Sequence, residues 1–127
     1  MGSAAFPPSA RLKKTTDFKT VLLKGLLFRQ NGVALHVLRK APGTRSRLGI
    51  VVPKRVAKLA SERNHFKRLA REFFRIHEKD FEVPCDMVIR RIGARKHIEH
   101  REFGQVVGRL LAEAQIMAWT EKAEESG

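Results

Sequence analysis

Residues 62–77 read Glu62-Arg63-Asn64-His65-Phe66-Lys67-Arg68-Leu69-Ala70-Arg71-Glu72-Phe73-Phe74-Arg75-Ile76-His77. On an ideal helical wheel of about 100° per residue, with Arg63 as origin, Lys67, Arg71 and Arg75 fall at about 40°, 80° and 120°. Asn64 falls at about 100° and Arg68 at about 140°, so six polar side chains share one arc. Phe66, Leu69, Ala70, Phe73 and Ile76 fall between about 220° and 340°, the opposite side. Phe74, at about 20°, breaks the pattern; it is either a packed edge residue or an exposed stacking platform, and packing is the favoured expectation. The spacing predicts a helix over 59–78 that packs on one side and presents cations on the other. Like charges four apart repel, and a polyanion relieves that repulsion. A merely solvated face mixes signs, whereas only Glu62 and Glu72 interrupt this one.

The flanks decide what this helix connects. Before it, Leu48 to Val52 is rich in strand formers and is stopped by Pro53, which cannot donate to a ladder. A basic loop, Lys54-Arg55-Val56-Ala57-Lys58, leads into the helix. After it, Pro84 breaks the chain and Asp86 to Arg91 is a second strand. Strand, helix and strand together suit a parallel crossover.

Further out, Val33 to Arg39 alternates its faces, with Val33, Leu35 and Val37 on one and Ala34, His36 and Leu38 on the other. Leu26 to Arg29 is a further short strand, and Pro42-Gly43 marks a turn. Phe18, Val21 and Leu22 form a helical stripe, with Thr15 or Thr16 as N-cap and Gly25 at the C′ position. A last helix over 99–119 carries Phe103, Val106, Val107, Leu110, Leu111 and Ala114. Residues 1–10 are expected to be a flexible arm, 11–119 the folded domain and 120–127 a polar tail. The order αβββαβα gives an α+β sandwich of one sheet with helices.

Charge narrows the function. Of 127 residues, 26 are Lys or Arg and 13 are Asp or Glu, a formal net charge of +13. Up to Ser61, 13 cations stand against the single carboxylate Asp17. Such an excess points to a polyanionic partner. No phosphate-binding glycine loop or nucleophile elbow is present, and there is no Tyr, so no catalytic residue is assigned to the protein. His97 and His100 stand three apart at a helix start without a third ligand, so no metal site is expected. Cys85 is alone, which excludes an internal disulfide and favours a reducing compartment. No apolar run approaches the roughly 18–20 residues that cross a bilayer. Met1 to Pro8 lacks a basic segment followed by an apolar core, so no secretory signal is expected. Composition alone allows a ribosomal or other structured-RNA-binding protein as well as a DNA-binding regulator. A strand and loop, rather than a short partner helix, precede the basic helix, which counts against helix-turn-helix.

Arg63-Asn64-His65-Phe66-Lys67-Arg68-Leu69-Ala70-Arg71-Glu72 resembles the Arg-Asn-Arg helix of the bacterial ribonuclease P protein subunit family. Gly49-Ile50-Val51-Val52-Pro53-Lys54-Arg55-Val56 is similar to that family's Gly-x-x-Val-Ser-Lys-Lys-Val segment. Arg11-Leu12-Lys13-Lys14-Thr15-Thr16-Asp17-Phe18, with Val21 and Gly25, is similar to its opening, and Asp86 to Arg91 to its last strand. The resemblance covers residues 11–114. His65 stands where a second Arg is usual, Pro53 replaces Ser, and Leu22 replaces an aromatic.

The resemblance implies a left-handed crossover and a role as the protein subunit of ribonuclease P, an endonuclease whose catalytic centre is RNA. It implies RNA-subunit binding by Lys54, Arg55, Arg63, Asn64, His65, Lys67, Arg68, Arg71 and Arg75. It implies that the single-stranded 5′ leader of precursor tRNA lies against Phe18, Leu22 and His36, with Arg11, Lys13 and Lys14 nearby. Divalent metal (Mg) would enter through the RNA partner and no cofactor would sit on the protein. The expected partners are ribonuclease P RNA and precursor tRNA in the cytoplasm, with no membrane; the sequence predicts no particular oligomeric state.

Overall fold

A computed structural model of the chain describes residues 6–93 and 98–120. Its elements are α1 (Thr15–Lys24), β1 (Leu26–Gln30), β2 (Val33–Arg39), β3 (Arg47–Val51), α2 (Ala60–His77), β4 (Cys85–Arg91) and α3 (His100–Glu113). The order is the expected αβββαβα, an α+β sandwich.

Asn31-Gly32 closes the β1–β2 hairpin with φ of 49° and 79°, the left-handed pair that matches strand twist. The sheet order is β1-β2-β4-β3, with β3 and β4 parallel and the other two pairings antiparallel. Helix α2 makes the crossover between the parallel strands.

Strand alternation sorts the sheet into two faces. Val33, Leu35, Val37, Leu48, Met87 and Ile89 join Phe66, Phe73, Phe74, Phe103 and Leu110 in the main core under α2 and α3. On the other face Val88 packs with Leu12 and Val21, bordered by Phe18, Leu22, Leu38 and Val51. Asp86 on that face is buried and bonds Arg47 at 2.7 Å and Lys40 at 3.1 Å. Arg47 also reaches Asp17 of α1 at 3.4 Å, so one ion cluster ties α1 to β3 and β4. The carboxylates hold the Arg47 guanidinium further toward its charged form.

Five expectations are corrected. Residues 1–5 of the expected arm lie outside the described residues, but 6–10 are packed. Phe6 meets Phe74 edge-on at 5.6 Å, Pro8–Ala10 form a 3-10 turn, and Ala10 is buried. Lys14, not a threonine, occupies the N-cap of α1, and Gly25 has an ordinary φ of −77°. Gly25 is small for another reason: a Cβ there would lie 2.6 Å from the Val21 carbonyl oxygen and 2.7 Å from that of Val37. On α2, Ile76 is 40% exposed while Phe74 is buried as expected. Phe6 and Phe81 cover Phe74, which tilts the packed face toward it.

The last helix stops at Glu113 rather than Trp119. Gln115 takes φ of 61°, and the N–H groups of Gln115 and Ile116 donate to Ala112 and Leu111, a Schellman ending without glycine. The chain then turns back, burying Ile116 and Met117 and laying Trp119 on Gly108. Cys85 is buried, and desolvation followed by the neighbouring Asp86 charge pushes its thiol up to about 12.

Candidate nucleic-acid interface

Helix α2 fixes the cationic stripe. Its apolar side is anchored in the core, so the opposite side has one orientation relative to the sheet. Asn64, Arg68, Arg71 and Arg75 are exposed, and Arg63, His65 and Lys67 are half-buried. Arg63 to Arg75 spans about 18 Å of helix rise. The side chains differ in their engagements. One guanidinium nitrogen of Arg63 donates to the carbonyls of Ala57 and Lys58, both at 2.9 Å. His65 bonds the Ile98 carbonyl through Nε2 at 2.8 Å, and its Nδ1 meets Arg68 at 3.1 Å. This network assigns the proton to Nε2 and lets Nδ1 accept. Arg75 pairs with Glu72 at 2.7 Å, an exposed i,i+3 bridge worth little in stability.

A groove runs from this stripe toward α1 along the outer edge of β3. The segment before α1 pairs with that edge: Leu12 N–H donates to the Leu48 carbonyl at 3.0 Å. Arg11 folds back, donating to the Phe6 carbonyl at 3.1 Å and lying over the Phe6 ring at 5.5 Å. Arg11 therefore lines the groove with Lys67 and Arg71 of α2, in a cavity of about 170 Å³ that also takes in Phe18 and Gly49. A second cavity of about 250 Å³ continues past Arg11 to Arg68 and Arg75. Gly49 admits the Phe18 ring, which would stand 2.5 Å from a Cβ at that position. An aromatic ring inside a cationic groove is the composition that holds single strands.

The expected leader residues do not all converge. His36 pairs across the sheet with Val88, and Val88 with Gly49, so the His36 backbone lies two strands, about 10 Å, from Gly49, against which the Phe18 ring packs. It is also 94% buried, the complement of its 6% exposure, which suits a cleft floor better than a stacking surface. Arg90 Nε donates to His36 Nε2 at 2.9 Å, which places the ring proton on Nδ1. Burial, with the Arg90 charge second, lowers the His36 pKa. Leu22 is half-buried on the satellite core, and Lys13 and Lys14 are exposed just ahead of α1. Lys54 and Arg55 are exposed on the loop after β3. In that loop the N–H groups of Val56 and Ala57 donate to the Pro53 carbonyl, at 3.1 and 3.2 Å. Pro53 thus serves the turn through its carbonyl, a role that needs no hydroxyl.

Sequence reasoning missed Phe6 and Arg90. For Arg90 a signal existed, since strand parity puts it on the face of Val88 and His36. For Phe6 none did, because its partner Phe74 is 68 positions away in sequence. Among the described residues no group of three potential metal ligands occurs; His100 is exposed and His97 lies outside them. A cavity of about 340 Å³ beside Trp119 is walled by Asp80 and Glu82 and does not suit a polyanion. No helix among the described residues is long and apolar enough to cross a membrane.

Fold and surface together define a basic α+β domain whose parallel crossover is a cationic helix beside an aromatic-lined groove. The chain belongs to the Ribonuclease P family, whose model matches residues 6–115. It is 32% identical over 111 residues to the "Ribonuclease P protein component" of Pseudanabaena sp. (strain PCC 6903), covering 87% of this chain and 96% of that one. It is 32% identical over 115 residues to the protein of the same name from Desulfovibrio desulfuricans, covering 88% and 85%. The fold is shared with the Staphylococcus aureus RNase P protein, TM-score 0.76 at 24% identity, covering 85% of this chain and 97% of that one. It is shared too with the Thermotoga maritima protein, TM-score 0.68 at 24% identity, covering 81% and 96%. Membership makes the chain a component of an endoribonuclease of tRNA processing and implies an RNA partner.

Proposed function

We propose that this chain binds the catalytic RNA of ribonuclease P through α2 and the single-stranded 5′ leader of precursor tRNA through the adjoining surface. The observation that carries this reading is the continuity of the cationic face of α2 with the Phe18 groove through Arg11. Lys67, Arg68, Arg71 and Arg75, with Lys54 and Arg55 on the preceding loop, supply charge for the phosphates of the structured RNA. Asn64, exposed among them, suits a base edge, a sugar or a phosphate. Phe18 and Leu22, with Arg11, Lys13 and Lys14 alongside, offer the leader an apolar surface rimmed by cations, and the buried His36 supports the floor of that face. The protein contributes no catalytic group in this reading: bond cleavage belongs to the RNA, which also holds the divalent metal. The cytoplasm is the compartment where both RNAs would meet it.

The test is capture of RNA from bacterial lysate on the purified chain, followed by sequencing. Ribonuclease P RNA and precursor tRNAs are expected to be enriched over rRNA. Recovery of rRNA without ribonuclease P RNA would support a structured-RNA-binding protein with no nuclease partner.

A further inference from the structure

Arg63 opens the cationic stripe in sequence, but its guanidinium is turned back onto the main chain. One nitrogen donates to the carbonyls of Ala57 and Lys58, each at 2.9 Å. These carbonyls lie just ahead of α2, in the connection from β3. Hydrogen bonds from a guanidinium are charge-assisted and stronger than neutral ones. The connection is a short turn built on the Pro53 carbonyl, and Ala57 is buried as its anchor. Between these fixed points stand Lys54 and Arg55, both exposed. Leu59 at the N-cap has no side-chain group to cap the helix, so the Arg63 guanidinium is the side chain that ties the turn to α2.

We propose that Arg63 is a positioning residue that clasps the Pro53–Lys58 turn to α2, presents Lys54 and Arg55 to the RNA that α2 binds, and makes no phosphate contact itself. The RNA part of this inference rests on the function proposed above; the clasp does not. His65 shows the same habit two residues on, bonding the Ile98 carbonyl ahead of α3. Arg63 thus acts through the loop, whereas Lys67 and Arg71 act directly.

Two measurements on the full chain separate these roles. The first is limited trypsin digestion without RNA, with cleavage mapped by mass spectrometry. Arg63→Gln is expected to accelerate cleavage after Lys54, Arg55 and Lys58 while other sites keep their wild-type rates. Arg63→Lys, which keeps the charge but not the planar donor set, should fall between. Unchanged cleavage at the turn in Arg63→Gln would overturn the clasp, as would an equal acceleration at all sites in both variants. The second is affinity for ribonuclease P RNA across a salt series, in the wild-type background and in Lys54→Ala/Arg55→Ala. Arg63→Gln should weaken binding roughly tenfold in the first background and less than about twofold in the second. An equal loss in both backgrounds, with an equal drop in salt slope, would mean that Arg63 grips phosphate directly. Faster cleavage at the turn, combined with no effect of Lys54→Ala/Arg55→Ala on RNA affinity, would uphold the clasp and contradict the RNA reading.

Discussion

His36 shows how strongly a single position depends on its neighbours across strands. In the sequence it is a histidine within an apolar strand. In the fold its Nε2 accepts from Arg90, and its Nδ1 is buried without a hydrogen-bond partner. Protonation would put a second N–H against the Arg90 guanidinium and charge a desolvated ring, so burial and Arg90 lower its pKa. The sign for stability follows. Between the lowered folded value and the unfolded value of about 6.5, the unfolded chain binds more protons, so stability falls as pH drops below about 6.5. Urea unfolding at about pH 5.5 and about pH 7.5 checks this. The wild type should lose stability on acidification, and His36→Gln should lose distinctly less. Equal losses would show that the His36–Arg90 pair carries no proton linkage.

At the scale of elements, α2 was the most legible part of the sequence. Its charged and apolar arcs follow from periodicity alone, and the strands around it from composition and Pro53. What was not legible came from contacts distant in sequence. Phe74 sits at the wheel position of a boundary residue and is buried because Phe6 and Phe81 reach it. The end of α3 depends on Gln115 in a left-handed conformation that glycine or asparagine would have signalled. The leader surface was legible only through family resemblance: the Phe18 ring of α1 packs on Gly49 of β3, while His36 lies on β2, two strands away. The division of labour on α2 makes a measurable claim. Arg71, exposed and lining the groove, should contribute directly to phosphate binding. Arg71→Ala should weaken ribonuclease P RNA binding and reduce the slope of log affinity against log salt by about 0.7–0.9. A filter-binding salt series that returned the wild-type slope would remove Arg71 from the contact surface.

Across the whole molecule, the charge imbalance has a structural meaning. The cation-rich first half supplies the strap with Arg11, the residues ahead of α1 and the Lys54–Arg55 loop; the second half supplies α2. The fold brings Arg11 and the cations of α2 together beside β3, so two surfaces that the sequence keeps apart meet at Arg11. Asp86, bonded to Lys40 and Arg47, braces α1 against that edge. The continuous surface serves one ribonucleoprotein reaction in the function proposed for this chain. The most direct test of that function is reconstitution of the chain with ribonuclease P RNA at low Mg²⁺, followed by the rate of precursor tRNA cleavage at the 5′ end of the mature sequence. Correct cleavage is expected to need both protein and RNA and to drop when Lys67 and Arg71 are replaced together by alanine. A rate in the RNA-only reaction equal to that with protein, or cleavage by the protein without RNA, would contradict it.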